Sequence, residues 1–211
     1  MKKLAIIGSG DLGKQIKNLA LESSEYIISG FFDDFKPIGS LVEGFPVLGN
    51  LDNIQKHFEN GTFDELLIGI GYKHMKIRQE LFERFRHQIP FGKIIHSSCI
   101  IHNSVSIGSG SIVYSGTHID MGALIGENCL IYNGCIIAHD TQIASHTILS
   151  PGVKIAGFSK IESLVNLGIG TIISDNVTVA MGTKTGAGAV VVKNIDESGL
   201  YVGIPAKKIK S

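Results

Sequence analysis

The sequence has little charge, and neither sign of charge is in excess. Only 18% of its 211 residues are charged, and 19 Lys and Arg balance 19 Asp and Glu, so the pI lies near 7.1. Surfaces that bind nucleic acids or membranes usually carry an excess of basic residues. We therefore expect neither a nucleic acid nor a membrane as a partner.

Long hydrophobic runs are also absent. The start, Met1-Lys2-Lys3, resembles the basic region of a signal peptide, but the apolar run after it breaks at Gly8 and turns polar by Asp11. This run is too short for a signal-peptide core or a membrane span. The expectation is a cytoplasmic enzyme.

Cysteine is scarce as well. Cys99, Cys129 and Cys135 are the only three cysteines, and all occupy the same small position of the repeat described next. We interpret them as buried small hydrophobic residues, with metal ligation or disulfide pairing as the alternatives.

A six-residue repeat organises the chain from Ile95 to about Asp196. Every sixth residue is aliphatic: Ile95, Ile101, Ile107, Val113, Ile119, Ile125, Ile131, Ile137, Ile143, Leu149, Ile155, Ile161, Leu167, Ile173 and Val179. Three residues after each of these the chain usually has Gly or Asn, which reach positive φ most easily, so we expect a corner at every sixth position. Short strands joined by such corners predict a three-sided β-solenoid with 18 residues per coil.

The first part of the chain has a different pattern. An apolar run ends in the glycine-rich turn Gly8–Gly13, a helical pattern follows, and a second apolar run ends in Asp33 and Asp34. Strand, glycine turn and helix open a Rossmann-like unit, in which backbone N–H groups meet a phosphate and a later acidic residue meets a ribose or base. The alternative is a plain glycine turn followed by a solvated acidic strand end.

The continuation predicts a small parallel α/β domain over residues 1–90. Lys36–Gly49 is predicted to be a loop, and a helix after Glu65–Ile70 is predicted to carry Ile77, Leu81 and Phe85 on one face. The domain is too short for two dinucleotide-binding halves, so we expect one nucleotide-linked ligand and not NAD. Residues 91–211 form the predicted solenoid domain, in which the segment from Ser198 through the basic Lys207–Lys210 run caps the open end.

The repeat departs from its own pattern in the middle. The corner positions read Asp140, His146, Phe158 and Leu164 instead of Gly or Asn, and we expect these exceptions to form one patch over two coils. Within the patch, His139 points outward and Gly157 lies above it, leaving space over the imidazole. An outward histidine beside a carboxylate predicts a general base, the alternative being an ordinary surface histidine.

With both parts described, the chain resembles the bacterial hexapeptide-repeat acyltransferases that N-acetylate nucleotide-linked amino sugars, and the related sialic acid O-acetyltransferases. The resemblance rests on the Gly8–Gly13 turn, Asp33-Asp34, Ala138-His139-Asp140, Ser150-Pro151-Gly152, Ala156-Gly157 and Gly203-Ile204-Pro205-Ala206. It implies a left-handed parallel β-helix and a homotrimer, with acetyl-CoA in a groove between solenoids and no metal.

The resemblance also implies residue roles. His139 matches the catalytic base and Asp140 its acidic neighbour. Gly8, Ser9 and Gly10 match the phosphate turn, and Asp33 and Asp34 match the nucleoside contacts; Gly157, Ile169, Ala187 and Lys208 match the acetyl-CoA groove. The implied reaction is N-acetylation of a UDP-, dTDP- or GDP-linked 4-amino-4,6-dideoxyhexose for surface polysaccharide or glycan synthesis.

The chain departs from the pattern of this family at three places, and three alternative functions remain to be considered. Tyr132 stands where many relatives have Asn, Ile148 where many have a second histidine, and the glycine turn lacks the usual glycine doublet. Acetyl transfer to a hydroxyl is the nearest alternative function. A zinc lyase would need three histidines converging on one metal, and a non-catalytic scaffold would leave the exceptions around His139 unexplained.

Overall fold

The computed structural model describes residues 1–209, and the chain divides into two compact units, Met1–Ile94 and a second unit that begins at Ile95. Lys210, part of the predicted basic end segment, lies outside the described residues.

The first unit is an α/β domain. Its strands are β1 (Lys2–Ile7), β2 (Tyr26–Phe32), β3 (Leu41–Val42), β4 (Phe45–Gly49) and β5 (Glu65–Ile68); its helices are α1 (Asp11–Glu22), α2 (Ile54–Glu59) and α3 (Met75–Phe85), with 3-10 turns at Leu51–Asn53 and Tyr72–His74. The five strands form one sheet in the order β3-β4-β2-β1-β5, parallel except at the β3–β4 hairpin. The predicted Rossmann-like domain is confirmed.

The predicted loop Lys36–Gly49 is wrong in part, because it contains β3 and β4. Val47 is buried and pairs with Phe31 of β2, which adds β4 to the sheet. The prolines and glycines of this segment are typical of loops and obscure the strand pattern. Pro46 is tolerated because it lies near the start of β4, opposite Leu41 in the hairpin, and precedes Val47, where the pairing of β4 with β2 begins.

The buried face of α3 also differs from the prediction. Ile77 is 46% exposed, whereas Arg78 is 1% exposed. The Arg78 guanidinium donates to the carbonyl oxygens of Ile68 and Ile70, where β5 ends. A buried charge is stable only when it is hydrogen-bonded, so Arg78 ties α3 to the chain that follows β5.

The second unit is a left-handed parallel β-helix, as predicted. Its strands are β6 (Ile94–Ile95), β7 (Ile100–Ile101), β8 (Ser106–Ile107), β9 (Ile112–Val113), β10 (His118–Ile119), β11 (Leu124–Ile125), β12 (Leu130–Ile131), β13 (Ile136–Ile137), β14 (Gln142–Ile143), β15 (Ile148–Leu149), β16 (Lys154–Ile155), β17 (Lys160–Ile161), β18 (Asn166–Leu167), β19 (Ile172–Ile173), β20 (Thr178–Val179), β21 (Lys184–Thr185), β22 (Val190–Val191), β23 (Leu200–Val202) and β24 (Lys207–Ile209). Every third strand belongs to the same sheet, so that Ile137 pairs with Ile119 on one side and Ile155 on the other. This register confirms the coil of 18 residues.

The corners are in the predicted left-handed conformation. Every sixth residue from Gly110 to Gly188 has a φ between +53° and +73°, including the exceptions Asp140, His146 and Phe158. The inward positions form one apolar core, in which Cys129 and Cys135 are fully buried. Burial raises the pKa of the Cys135 thiol to about 12, which agrees with a small hydrophobic role.

The last strands cover one edge of the solenoid. β23 pairs in parallel with β21, and β24 folds back antiparallel onto β23. Beside them, Val190 donates to the carbonyl of Gly203 and Ala206 donates to the carbonyl of Val190. These bonds satisfy backbone groups that the final coil would otherwise expose.

Candidate functional site

A pocket of about 520 Å³ opens at the carboxyl ends of β1, β2 and β5. Three segments line most of it, each directly after one of these strands: Gly8 to Leu12, Asp33 to Phe35, and Gly69 to His74. The carboxyl ends of parallel strands meet at one edge of a sheet, which is where open α/β domains bind ligands. Four of the five residues predicted to bind the nucleotide line this pocket, and Ser9 does not.

Hydrogen bonds between Ser9 and Asp33 join two walls of the pocket, the glycine turn and the chain after β2. The Ser9 backbone N–H and hydroxyl both donate to Asp33 Oδ2, at 2.9 and 2.5 Å, and the Phe35 N–H donates to Asp33 Oδ1 at 2.9 Å. Burial opposes ionisation of Asp33, but these hydrogen bonds outweigh it and lower its pKa. Much of the hydrogen-bonding capacity of this carboxylate is therefore used within the protein, where it fixes the glycine turn to the end of β2.

Asp34 lies beside it in the pocket wall. Its Oδ1 accepts a hydrogen bond of 2.9 Å from the Leu51 N–H. The second oxygen of its carboxylate is available for a hydroxyl or N–H group of a ligand.

Glycine is needed at different positions around the pocket for different physical reasons. A Cβ at Gly13 would lie 2.0 Å from the Gly8 carbonyl oxygen, and one at Gly69 would lie 2.7 Å from the Gly13 Cα, so both positions need glycine for close packing. A Cβ at Gly10 would meet nothing within 4 Å. Gly10 precedes α1, so its missing side chain leaves the N-terminus of this helix open to the pocket.

One wall of the pocket, the segment Tyr72–His74, was not predicted from the sequence. Lys73 and His74 bring basic side chains to a pocket that otherwise holds the carboxylates of Asp11, Asp33 and Asp34. A usable signal existed, because this segment follows the third parallel strand as the other two walls follow the first and second.

The second candidate site is on the solenoid, where His139 and Asp140 form a pair. His139 Nδ1 lies 3.0 Å from Asp140 Oδ2, and the two side chains are 46% and 48% exposed. An ionised carboxylate can only accept a hydrogen bond, so the Nδ1–H group donates to Asp140. The lone pair of the neutral ring is then on Nε2, which makes Nε2 the basic atom. A Cβ at Gly122 would lie 2.5 Å from Asp140 Oδ1, so the glycine one coil earlier makes room for this carboxylate.

Gly157 and Phe158 enclose the imidazole. A Cβ at Gly157 would lie 2.8 Å from Cε1 and 2.9 Å from Nε2 of His139, so the ring itself fills the space that was predicted above it. The Phe158 ring meets the imidazole edge to face, with centroids 5.0 Å apart and planes at 86°.

The other exceptions to the repeat do not belong to this site. His146 is 5% exposed, and its Nδ1 lies 3.0 Å from the amide nitrogen of Asn128, one coil earlier on the same corner. The prediction of one patch is therefore wrong: Asp140 and Phe158 share one corner of the solenoid, whereas His146 and Leu164 share the next.

The residues predicted to bind acetyl-CoA are not brought together in one chain. Gly157 packs on His139, but Ile169 and Ala187 are exposed beside a third corner, formed by glycines, where the Gly188 N–H donates to the Ile169 carbonyl at 2.7 Å. Lys208 is on β24, and its Nζ lies 2.9 Å from Glu197 Oε2. This hydrogen bond to Glu197 raises the pKa of Lys208.

Residues 1–209 contain neither a metal-ligating cluster nor a membrane-spanning helix. Among these residues, no group of three or more His, Cys, Asp or Glu could hold a metal ion. Within the same range, no helix has the length and apolar character needed to span a membrane.

Comparisons with known proteins agree with both units. Residues 3–85 match the PglD N-terminal domain, and residues 122–157 match the bacterial transferase hexapeptide (six repeats). A stretch of 50 residues is 46% identical to a serine acetyltransferase from Buchnera aphidicola. This stretch is 24% of the present chain and 19% of that protein, so the match spans about a fifth of the relative's length.

Solved structures match over nearly the whole chain. Perosamine N-acetyltransferase from Caulobacter crescentus, solved with CoA and GDP-perosamine as a variant with one histidine changed to asparagine, is 28% identical with a TM-score of 0.93, covering 100% of this chain and 98% of that one. The acetyltransferase domain of PglB from Neisseria gonorrhoeae is 28% identical with a TM-score of 0.87, covering 99% and 100%. The chain thus resembles the PglD N-terminal domain over residues 3–85 and the bacterial transferase hexapeptide over residues 122–157, and its predicted resemblance to the hexapeptide-repeat nucleotide-amino-sugar N-acetyltransferases is confirmed.

Proposed function

We propose that this chain transfers an acetyl group from acetyl-CoA to the amino group of a nucleotide-linked 4-amino-4,6-dideoxyhexose. The observation that carries the proposal is the half-exposed His139–Asp140 pair, with Nδ1 and Oδ2 3.0 Å apart. Support comes from the structural neighbours, which were solved with CoA and GDP-perosamine or with acetyl coenzyme A.

Acetyl-CoA supplies the acetyl group as a thioester. His139 Nε2 accepts a proton from the sugar amine as the nitrogen forms its bond to the acetyl carbonyl carbon. The carbon–sulfur bond then breaks, and the imidazolium returns the proton to the leaving sulfur, which regenerates the base. Asp140 keeps Nδ1 protonated before the reaction and stabilises the positive charge on the ring during it.

The pocket of the first unit holds the nucleotide in this proposal. Its volume of about 520 Å³ is within the range of small-molecule sites. The N-terminus of α1 at Gly10 and the Lys73 ammonium face a pocket with three carboxylates, and these positive groups offset the charge of a pyrophosphate. Asp34 offers its second oxygen to the nucleoside, whereas Ser9 and Asp33 keep the turn in place.

The acetyl-CoA groove requires more than one copy of the chain. His139 and Gly157 lie at one corner of the solenoid, and Ile169 and Ala187 lie at another. We propose a homotrimer in which these two corners, from neighbouring chains, form the two walls of one groove. The exposed apolar residues Ile100, Ile136 and Ile172 on one face of the solenoid support self-association, and sedimentation at the mass of three chains is the expected result.

The test is release of free thiol from acetyl-CoA with UDP-, dTDP- and GDP-linked 4-amino-4,6-dideoxyhexoses. We expect turnover on one of them and a loss of roughly 100-fold or more in kcat for His139→Ala. His102→Ala is the matched control, since His102 is also an exposed histidine of the solenoid but its Nδ1 lies 2.9 Å from the Ser104 hydroxyl in place of a carboxylate. Unchanged turnover in His139→Ala would refute the assignment of the base. Turnover on sialic acid but on none of the nucleotide sugars would favour O-acetylation.

A further inference from the structure

Phe158 has an unfavourable backbone conformation. It occupies a corner with φ +57°, where most other corners of the solenoid have Gly or Asn. The left-handed region is accessible to those two residues, but it costs free energy for a side chain as large as phenylalanine. Strain of this kind persists only where the surrounding structure requires it, and it is concentrated at functional sites.

Burial does not explain this choice of residue. Phe158 is 53% exposed, so its ring gains little from the apolar core. Leu164 provides the comparison, because it has nearly the same φ, +60°, at the next corner but is only partly exposed. Since Phe158 has the strain without burial in its own chain, the contacts of its ring are the remaining explanation within that chain.

The Phe158 ring touches His139. The ring centroids are 5.0 Å apart with planes at 86°, which is a favourable edge-to-face geometry. Asp140 holds Nδ1, Gly157 lies against the ring, and Phe158 closes a further side. Without Phe158, the imidazole of a half-exposed histidine would be free to rotate away from Asp140 toward solvent.

We infer that Phe158 is a positioning residue that holds the His139 imidazole in the orientation in which Nδ1 bonds to Asp140 and Nε2 is the base. This inference rests on the proposed function for its effect on turnover. Its effect on the imidazole is independent of any reaction.

The test substitutes Phe158 by a residue that prefers the same backbone. Phe158→Asn relieves the backbone strain, so we expect its melting temperature to equal or exceed that of the wild type. We also expect kcat to fall roughly 10- to 100-fold while KM for both substrates stays within about twofold, because the base is misplaced and binding is not. Phe158→Tyr keeps the ring and restores kcat, and Leu164→Asn is the control that relieves equal strain without contacting His139.

The decisive measurement is 15N NMR of the His139 ring without substrate. In the wild type the shifts should report a proton on Nδ1, and in Phe158→Asn a mixture of both tautomers. Wild-type tautomer and kcat in Phe158→Asn would overturn the inference. A rise in KM alone would assign Phe158 to substrate contact, and dissociation of the oligomer would assign it to contact between copies. If the wild type transfers no acetyl group, the proposed function fails, but the NMR result still decides the role of Phe158.

Discussion

Gly157→Ala tests the geometry of the base with the addition of a single methyl group. A Cβ at residue 157 would lie 2.8 Å from Cε1 and 2.9 Å from Nε2 of His139, whereas ordinary contacts begin at 3.4 Å. The imidazole must therefore move by about 0.6 Å, the difference between 3.4 and 2.8 Å. A shift of this size is enough to weaken the 3.0 Å contact between Nδ1 and Asp140.

The predicted loss is in kcat and not in folding. Misplacement of a catalytic group by about 1 Å costs up to roughly 100-fold in rate, so we expect kcat to fall about 10- to 100-fold. The φ of Gly157 is outside the left-handed region, so alanine is not strained there. The half-exposed ring can yield toward solvent, and the free energy of unfolding should change by less than about 1 kcal/mol.

The assay combines thiol release with urea unfolding of Gly157→Ala in two backgrounds. In His139→Ala the clashing ring is absent, so Gly157→Ala should raise the free energy of unfolding by about 0.4–1 kcal/mol, because alanine lowers the conformational entropy of the unfolded chain. The difference between the two backgrounds measures the clash. Wild-type kcat in Gly157→Ala, or equal changes in stability in both backgrounds, would refute this geometry.

Three further predictions concern the first unit. Lys73→Ala should raise KM for the nucleotide sugar about tenfold with little change in kcat, which initial rates at two salt concentrations would measure; an unchanged KM would place the pyrophosphate elsewhere. Asp33→Asn should be less stable than the wild type at pH 7. Since the folded pKa of Asp33 is lowered below 3.8, its stabilisation is present above that pH and is lost below it, so the deficit should shrink in melts near pH 3. Arg78→Met should lower the free energy of unfolding by about 2 kcal/mol in urea, because the carbonyl of Ile68 loses its buried donor; no change would contradict that role.

The solenoid was predictable because one rule repeats along it. An inward aliphatic residue and a corner every six residues determine the strands, the coil length and the pairing of Ile119 with Ile137. The handedness came only from the family resemblance, since parallel crossovers are usually right-handed. In the first unit, composition and periodicity were misleading. The strand that contains Val47 lies in a segment rich in proline and glycine, and Ile77 was predicted on the face of α3 with Leu81 and Phe85, whereas Arg78 is the buried residue.

The site was predictable where a residue's role follows from its place in a pattern. The glycine turn, the acidic strand end and the outward histidine could all be found this way. The features that could not be predicted are contacts between segments that are far apart in the sequence. That Asp33 binds Ser9, and that Tyr72–His74 completes the pocket, follows from the way separate loops converge at one edge of the sheet.

The four exceptions to the repeat show why a broken pattern is not enough to identify a site. All four have the same left-handed backbone, but they have it for two physical reasons. His146 is buried and bonds to Asn128, so its departure from Gly or Asn is offset by contacts within its own corner. Asp140 and Phe158 are exposed, and their contacts converge on His139. The two cases have the same backbone conformation and differ in the exposure of the side chain. The sequence does not give this exposure, because every corner of the repeat occupies an equivalent place in the pattern.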